Sequence, residues 1–287
     1  MQNLVIMKTL HKLLLLSGLT LINVRSSFGQ EVTTNPYTSS NKGKIFVYWG
    51  GNRGFYSNSD IHFKGDDFDF TVKDATAHDK PKGWHVDYIN PTKMTIPQTN
   101  LRVGYFITDN YIVSIGVDHM KYVMTQNQEA TVTGSYPNEG TYGELLPNGK
   151  TKLTEDFLMF EHTDGLNYVN AEIARHKDFS KYLGITNTDK IQFNGLVGVG
   201  AGVLYPKTNA TVLGRERYDD FKVAGWGVSA KAGVNATFFK HFFIQYEWKF
   251  GYIDITKAPI ILNNGAYASH HFTFNQGILA VGGIFKL

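Results

Sequence analysis

Residues 241–255 read His-Phe-Phe-Ile-Gln-Tyr-Glu-Trp-Lys-Phe-Gly-Tyr-Ile-Asp-Ile, and this stretch decides the fold. Phe242, Ile244, Tyr246, Trp248, Phe250 and Tyr252 alternate with Phe243, Gln245, Glu247, Lys249 and Gly251. A period of two places these sets on opposite faces of a β-strand. The bulky set is large and continuous. The other set carries an amide, two opposite charges and a glycine. In a sandwich the bulky face would be the core; in a closed membrane barrel it would meet lipid, with the charges inside.

Working outward, seven further segments carry the same signature. They are residues 44–55, 96–107, 111–125, 166–176, 191–205, 223–238 and 272–287. Glycine and serine oppose the apolar residues in several of them, which suits the crowded interior of a narrow barrel. Connections alternate in length. Thr108-Asp109-Asn110 and Phe239-Lys240 are tight turns, and 177–190 is a moderate link. Links 56–95, 126–165, 206–222 and 256–271 are expected to be long, polar loops. Short turns at one rim and long loops at the other are the habit of membrane barrels.

Composition agrees. Among 287 residues, Phe 20, Tyr 16, Trp 4 and Gly 29 favour bent strands over helices. The absence of cysteine excludes disulfides, zinc–thiolate sites and thiol catalysis. A net charge of +3 with no basic run gives no reason to expect nucleic acid.

The beginning of the chain reads as an export signal, residues 1–29. Lys8, His11 and Lys12 precede an apolar run over 13–24, and Ser27 and Gly29 stand where a signal peptidase wants small residues before Gln30. The run is too short for a membrane helix, which needs about 20 residues. Residues 30–43 read as a flexible polar lead-in and 44–287 as the barrel. Without a second long apolar run, only a closed barrel can pair every backbone group in lipid.

In its signal segment and all eight strand candidates the chain resembles the small bacterial outer-membrane barrels of the OmpA/OmpW type. Such barrels end in an alternating strand closed by an aromatic residue, read by the barrel-assembly machinery. Here Leu279, Val281, Gly283, Phe285 and Leu287 hold that phase, with Leu instead of the aromatic last. The resemblance implies an eight-stranded antiparallel up-and-down barrel in the cell outer membrane, with short periplasmic turns and long extracellular loops. Implied partners are outer-membrane lipids including lipopolysaccharide, the assembly machinery and small hydrophobic ligands.

Candidate chemistry is sparse. Arg102, Asp118, Glu172, Lys231, Glu247 and Lys249 fall on the inward phase. They read either as an ion-paired plug, since eight strands leave room for little but side chains, or as the lining of a gated pore. Ser269, His270 and His271, and Asp118 with His119, form no nucleophile–base arrangement on one strand face, so these histidines are expected at the rim, meeting headgroups or water, and no enzyme is expected. His62, His78 and His85 lie in the first long link with Asp60, Asp66, Asp67, Asp69, Asp74 and Asp79. The spacing is not that of a calcium loop, so a solvated acidic loop is expected, with no metal and no cofactor. Trp84, Tyr88 and Ile89, among Pro81, Pro91 and Pro97, suggest a surface that meets a ligand or folds over the mouth. Function is thus narrowed to a narrow porin-like conduit or uptake barrel, or else a plugged structural or adhesive barrel that binds through its loops, with a lipid-modifying enzyme a distant third.

Overall fold

The computed structural model describes residues 40–82, 98–139, 141–215, 217–218, 220–262 and 265–286. The export segment, most of the lead-in, and His85, Trp84, Tyr88, Ile89, Pro91 and Pro97 lie outside these residues.

Eight strands close into a ring: β1 (Lys44–Tyr56), β2 (Thr99–Phe106), β3 (Tyr111–Met124), β4 (Leu158–Asp178), β5 (Ile191–Leu204), β6 (Gly225–Phe238), β7 (Phe242–Pro259) and β8 (Tyr267–Lys286). Each pairs antiparallel with its chain neighbours, and β1 closes on β8 from Lys44↔Lys286 to Tyr56↔Phe274. The Phe239-Lys240 turn has positive φ at both residues, 53° and 67°, the left-handed geometry a two-residue hairpin needs to follow strand twist. In the turn after β2, the Thr108 hydroxyl accepts from the backbone of Asn110 and Tyr111.

Toward the short-turn rim the barrel wears its apolar side outward. Val103, Ile115, Ile173, Val199, Val228, Trp248 and Leu279, one on each strand from β2 to β8, are exposed, and Ile45, Val47 and Trp49 of β1 are half-exposed on the same face. An apolar belt this continuous around a closed ring is a surface for lipid.

Several strands are far longer than the ~9–11 residues needed to cross a bilayer. β4 has 21 residues, β8 has 20 and β7 has 18. Above the belt the sense of the faces reverses. On β8, Phe272 and Phe274 point inward while His271, Thr273 and Asn275 lie on the outer face; nearer the short-turn rim, Leu279, Val281 and Phe285 are outward. The outer stretch thus has an apolar inside and a polar outside, as a water-soluble β-protein has.

The long links are not plain polar loops. The first carries strands Ser59–Lys64 and Asp69–Ala75, which extend the sheet from β8, and Ala77–His78, which pairs with β3. The second carries Glu129–Ser135, paired to Asp69–Ala75, and the short strands Glu144–Leu145 and Thr151–Lys152. The third carries Asn209–Val212, paired to the outer end of β4. The fourth is largely taken up by β7, which runs on to Pro259, and β8, which begins at Tyr267. β4 likewise begins eight residues before the expected 166, at Leu158. Ile61, Phe63, Phe68, Phe70 and Val72 from the first link bury themselves against Phe157, Phe160, Tyr122 and Phe272. That apolar burial is what turns the links into a folded cap.

Candidate functional site: a charged lumen sealed by an aromatic cap

Alternation brings all six charged residues of the inward phase to one level of the lumen. Arg102 comes from β2, Asp118 from β3, Glu172 from β4, Lys231 from β6, and Glu247 and Lys249 from β7; all are buried. Glu172 stands at the centre. Its Oε2 lies 3.0 Å from Arg102 Nη1 and 2.6 Å from Lys231 Nζ, and its Oε1 lies 2.8 Å from Lys249 Nζ. Lys249 Nζ also meets Asp118 Oδ2 at 2.5 Å, and Lys231 Nζ meets Glu247 Oε1 at 3.0 Å. Three cations face three carboxylates, so the cluster is neutral as a whole. Burial of charge is tolerated only under such pairing.

Uncharged groups complete the shell. Asp118 accepts from the amides of Asn100 (2.7 Å) and Asn170 (3.0 Å). Arg102 donates to Asn170 Oδ1 at 2.7 Å and to the Tyr48 hydroxyl at 3.2 Å. Tyr48 was not singled out in the sequence because an aromatic residue reads as lipid-facing; its inward phase on β1 is the signal that identifies it. From Glu247 a chain of amides descends toward the short-turn rim: Gln245 donates to Glu247, Asn235 to Gln245, Asn194 to Asn235, and Gln192 to Asn194.

Glycine makes room for this cluster. A Cβ on Gly202 of β5 would stand 2.1 Å from the Val169 carbonyl oxygen and 2.6 Å from Asn170 Cα, both backbone atoms. Next to it, a Cβ on Gly200 would meet Glu172 Cγ at 2.7 Å.

Below the charges, Phe46, Tyr48, Phe106, Phe243, Ile278 and Ile284 form a second apolar cluster that narrows the lumen. Phe46 packs edge-on to Phe106 and Phe243. Above the charges sits the aromatic core of the cap.

The expected rim histidines are placed differently. His270 is buried in the cap, its ring 5.8 Å from that of His162 and nearly parallel to it. It lies inside because the β8 face that points to the lumen becomes the core face above the belt. Thr208 Oγ1 lies 3.1 Å from His162 Nδ1, and Ser59 Oγ lies 3.4 Å from His270 Nδ1. Burial holds His162 down to about 3 and drives His270 well below the ordinary histidine range. Both are neutral. His119 is also buried, its Nδ1 2.7 Å from Asn167 Oδ1. His271 alone of these keeps an outward place, beside the Tyr252 ring.

Three of the acidic residues of the first link, Asp60, Asp67 and Asp69, are tied into ion pairs. Asp69 meets His62 and Lys64, Asp60 meets Lys73, and Asp67 meets Arg215 at 2.5 Å. Among the described residues no group of three metal-ligating side chains converges. A concavity of about 710 Å³ lies on the lipid-facing wall over β2 to β5 and is lined by residues such as Val103, Tyr105, Ile115 and Val199.

A closed eight-stranded ring with an apolar belt and a polar interior defines a transmembrane β-barrel of the outer-membrane kind. In architecture the chain is similar to small outer-membrane barrels of known structure. One is the outer membrane protein OprG from Pseudomonas aeruginosa: 12% identity, TM-score 0.38, covering 86% of this chain and 98% of that one. Another is Ail, the attachment invasion locus protein of Yersinia pestis: 13% identity, TM-score 0.31, covering 85% and 99%. A third is Neisserial surface protein A: 10% identity, TM-score 0.33, covering 86% and 98%. No protein-family model and no curated relative matches the sequence.

Proposed function

We propose that this protein is an exported, non-conducting barrel of the outer membrane that holds a folded β-cap above the bilayer to bind partners outside the cell. The observation that carries this reading is the doubly closed lumen. A neutral, fully paired charge cluster fills the middle, and the aromatic core of the cap fills the outer end. An ion crossing the barrel would have to part buried ion pairs and then enter an apolar core, and each step is costly. The cap offers the broad surface for recognition: short strands laid side by side, with charged groups on their outer faces.

The test is single-channel recording in planar bilayers. The expected result is a silent membrane containing folded protein. Steps of steady conductance, altered when Lys249 is replaced by alanine, would overturn this reading in favour of a conduit. A pull-down with the barrel in nanodiscs then identifies what the cap binds, and removal of residues 126–153 should abolish that capture.

A further inference from the structure

A polar cavity of about 220 Å³ opens at the short-turn rim, opposite the cap. It is lined by Ser40, Asn41, Thr188, Gln192 and Thr237, by two lysines, Lys44 and Lys240, and by one carboxylate, Asp189. Thr188, Gln192 and Thr237 are buried; the Thr237 hydroxyl is held between Asn235 and Asn194, and Gln192 spends one amide N–H on Asn194, which leaves the Thr188 hydroxyl and the second Gln192 N–H for a ligand.

Among the described residues positive charge is in excess here. Lys286 stands opposite Lys44 in the β1–β8 ladder. Two carboxylates are close. Asp189 pairs with Lys240 at 2.7 Å. Asp109 accepts from the backbone amides of Asn41 and Lys42, at 2.7 and 2.9 Å. Among the described residues, Lys44 Nζ donates to a neutral partner, Asn41 Oδ1, at 3.2 Å.

Beside this charge the wall is aromatic. Phe239 and Phe242 flank the Lys240 turn and Phe285 precedes Lys286, each exposed on the lipid side. Cations and hydroxyl donors next to exposed aromatic rings match a ligand with an anionic head and an apolar tail.

We propose that this cavity holds the phosphate of a phospholipid from the leaflet at the short-turn rim, with Lys44 and Lys240 supplying charge and Thr188 and Gln192 supplying hydrogen bonds. The chemistry recognised is a phosphate group, and a free phosphate would satisfy the same donors.

Native mass spectrometry tests this. The full barrel is exchanged from micelles containing equal amounts of phosphatidylglycerol and a phosphate-free galactolipid, and the retained lipid is counted. Retention should favour phosphatidylglycerol about tenfold, the scale of one charge-assisted hydrogen bond. The K44Q/K240Q pair should erase that preference, K44R/K240R should keep it, and Asp189→Asn, which releases Lys240, should strengthen it. Heat-dependent gel mobility checks that each variant is a folded barrel. In lipid-free micelles, inorganic phosphate binding that depends on both lysines, without lipid retention, would assign the site to free phosphate and overturn the lipid source. Equal retention of both lipids with no phosphate binding, or a preference unchanged in K44Q/K240Q, would overturn the site itself.

Discussion

Replacing Glu172 by Gln keeps the shape of the side chain and removes its charge. The carboxylate touches Arg102, Lys231 and Lys249 within 3.0 Å. The variant leaves three buried cations facing two carboxylates. Breaking a buried pair by removing one partner costs about 3–5 kcal/mol, because the remaining charge stays desolvated. Taking about 4 kcal/mol and a urea slope of about 2 kcal/mol per molar, the unfolding midpoint should fall by roughly 2 M. Urea titration in micelles, followed by the fluorescence of the outward-facing Trp226 and Trp248, measures the shift. Adding Lys231→Met restores neutrality and should recover more than half of the loss. A midpoint within about 0.3 M of the parent, or a double variant weaker than the single one, would refute the view that Glu172 anchors a neutral plug.

Two further outcomes follow from the same geometry. His162 and His270 are held neutral by burial, His162 at about 3 against the ordinary 6.5. A depressed histidine favours the folded state above pH 6.5 and withdraws that stability as pH falls toward its folded value. At pH 4 the cap should have lost about 3 kcal/mol through His162 alone. Hydrogen exchange should then show residues 59–75 opening before the belt strands, and the H162F/H270F pair should remove the effect. Gly202→Ala should abolish the folded, heat-modifiable species on gels, since its Cβ would strike the β4 backbone. Gly195→Ala, whose Cβ meets nothing nearer than 3.8 Å, should fold normally.

The ring was legible because a strand between lipid and lumen announces both faces. Phe242 to Phe250 alternate without a break against Gln245, Glu247 and Lys249, so register and facing could be read together. The inward charges were legible for the same reason. That they meet at one level was not, since it depends on the stagger of five strands around a closed ring. The cap was missed for a physical reason. A period of two survives above the belt while its meaning reverses, so Phe272 and Phe274 look like the residues that face lipid lower on β8. His270, in phase with them, was therefore expected in water and lies in a core. Within the first link, Ile61 and Phe63, then Phe70 and Val72, do alternate as strands should. Their segments are short and interrupted by Asp66-Asp67, and polar composition outweighed the pattern.

The strands β4, β7 and β8 pass unbroken from the belt into the cap, and this has a mechanical consequence. Bulges between His162 and Leu166 on β4 and between Ile255 and Ala258 on β7 bend the ladders there, yet the three strands carry the cap on continuous backbone and not on a loose tether. A load applied at its tip runs lengthwise along these staves and is resisted in shear by the hydrogen-bonded ladders of the belt, below the two bulges, not peeled one bond at a time. A partner bound at the cap, as proposed, would be fastened to the membrane through these strands.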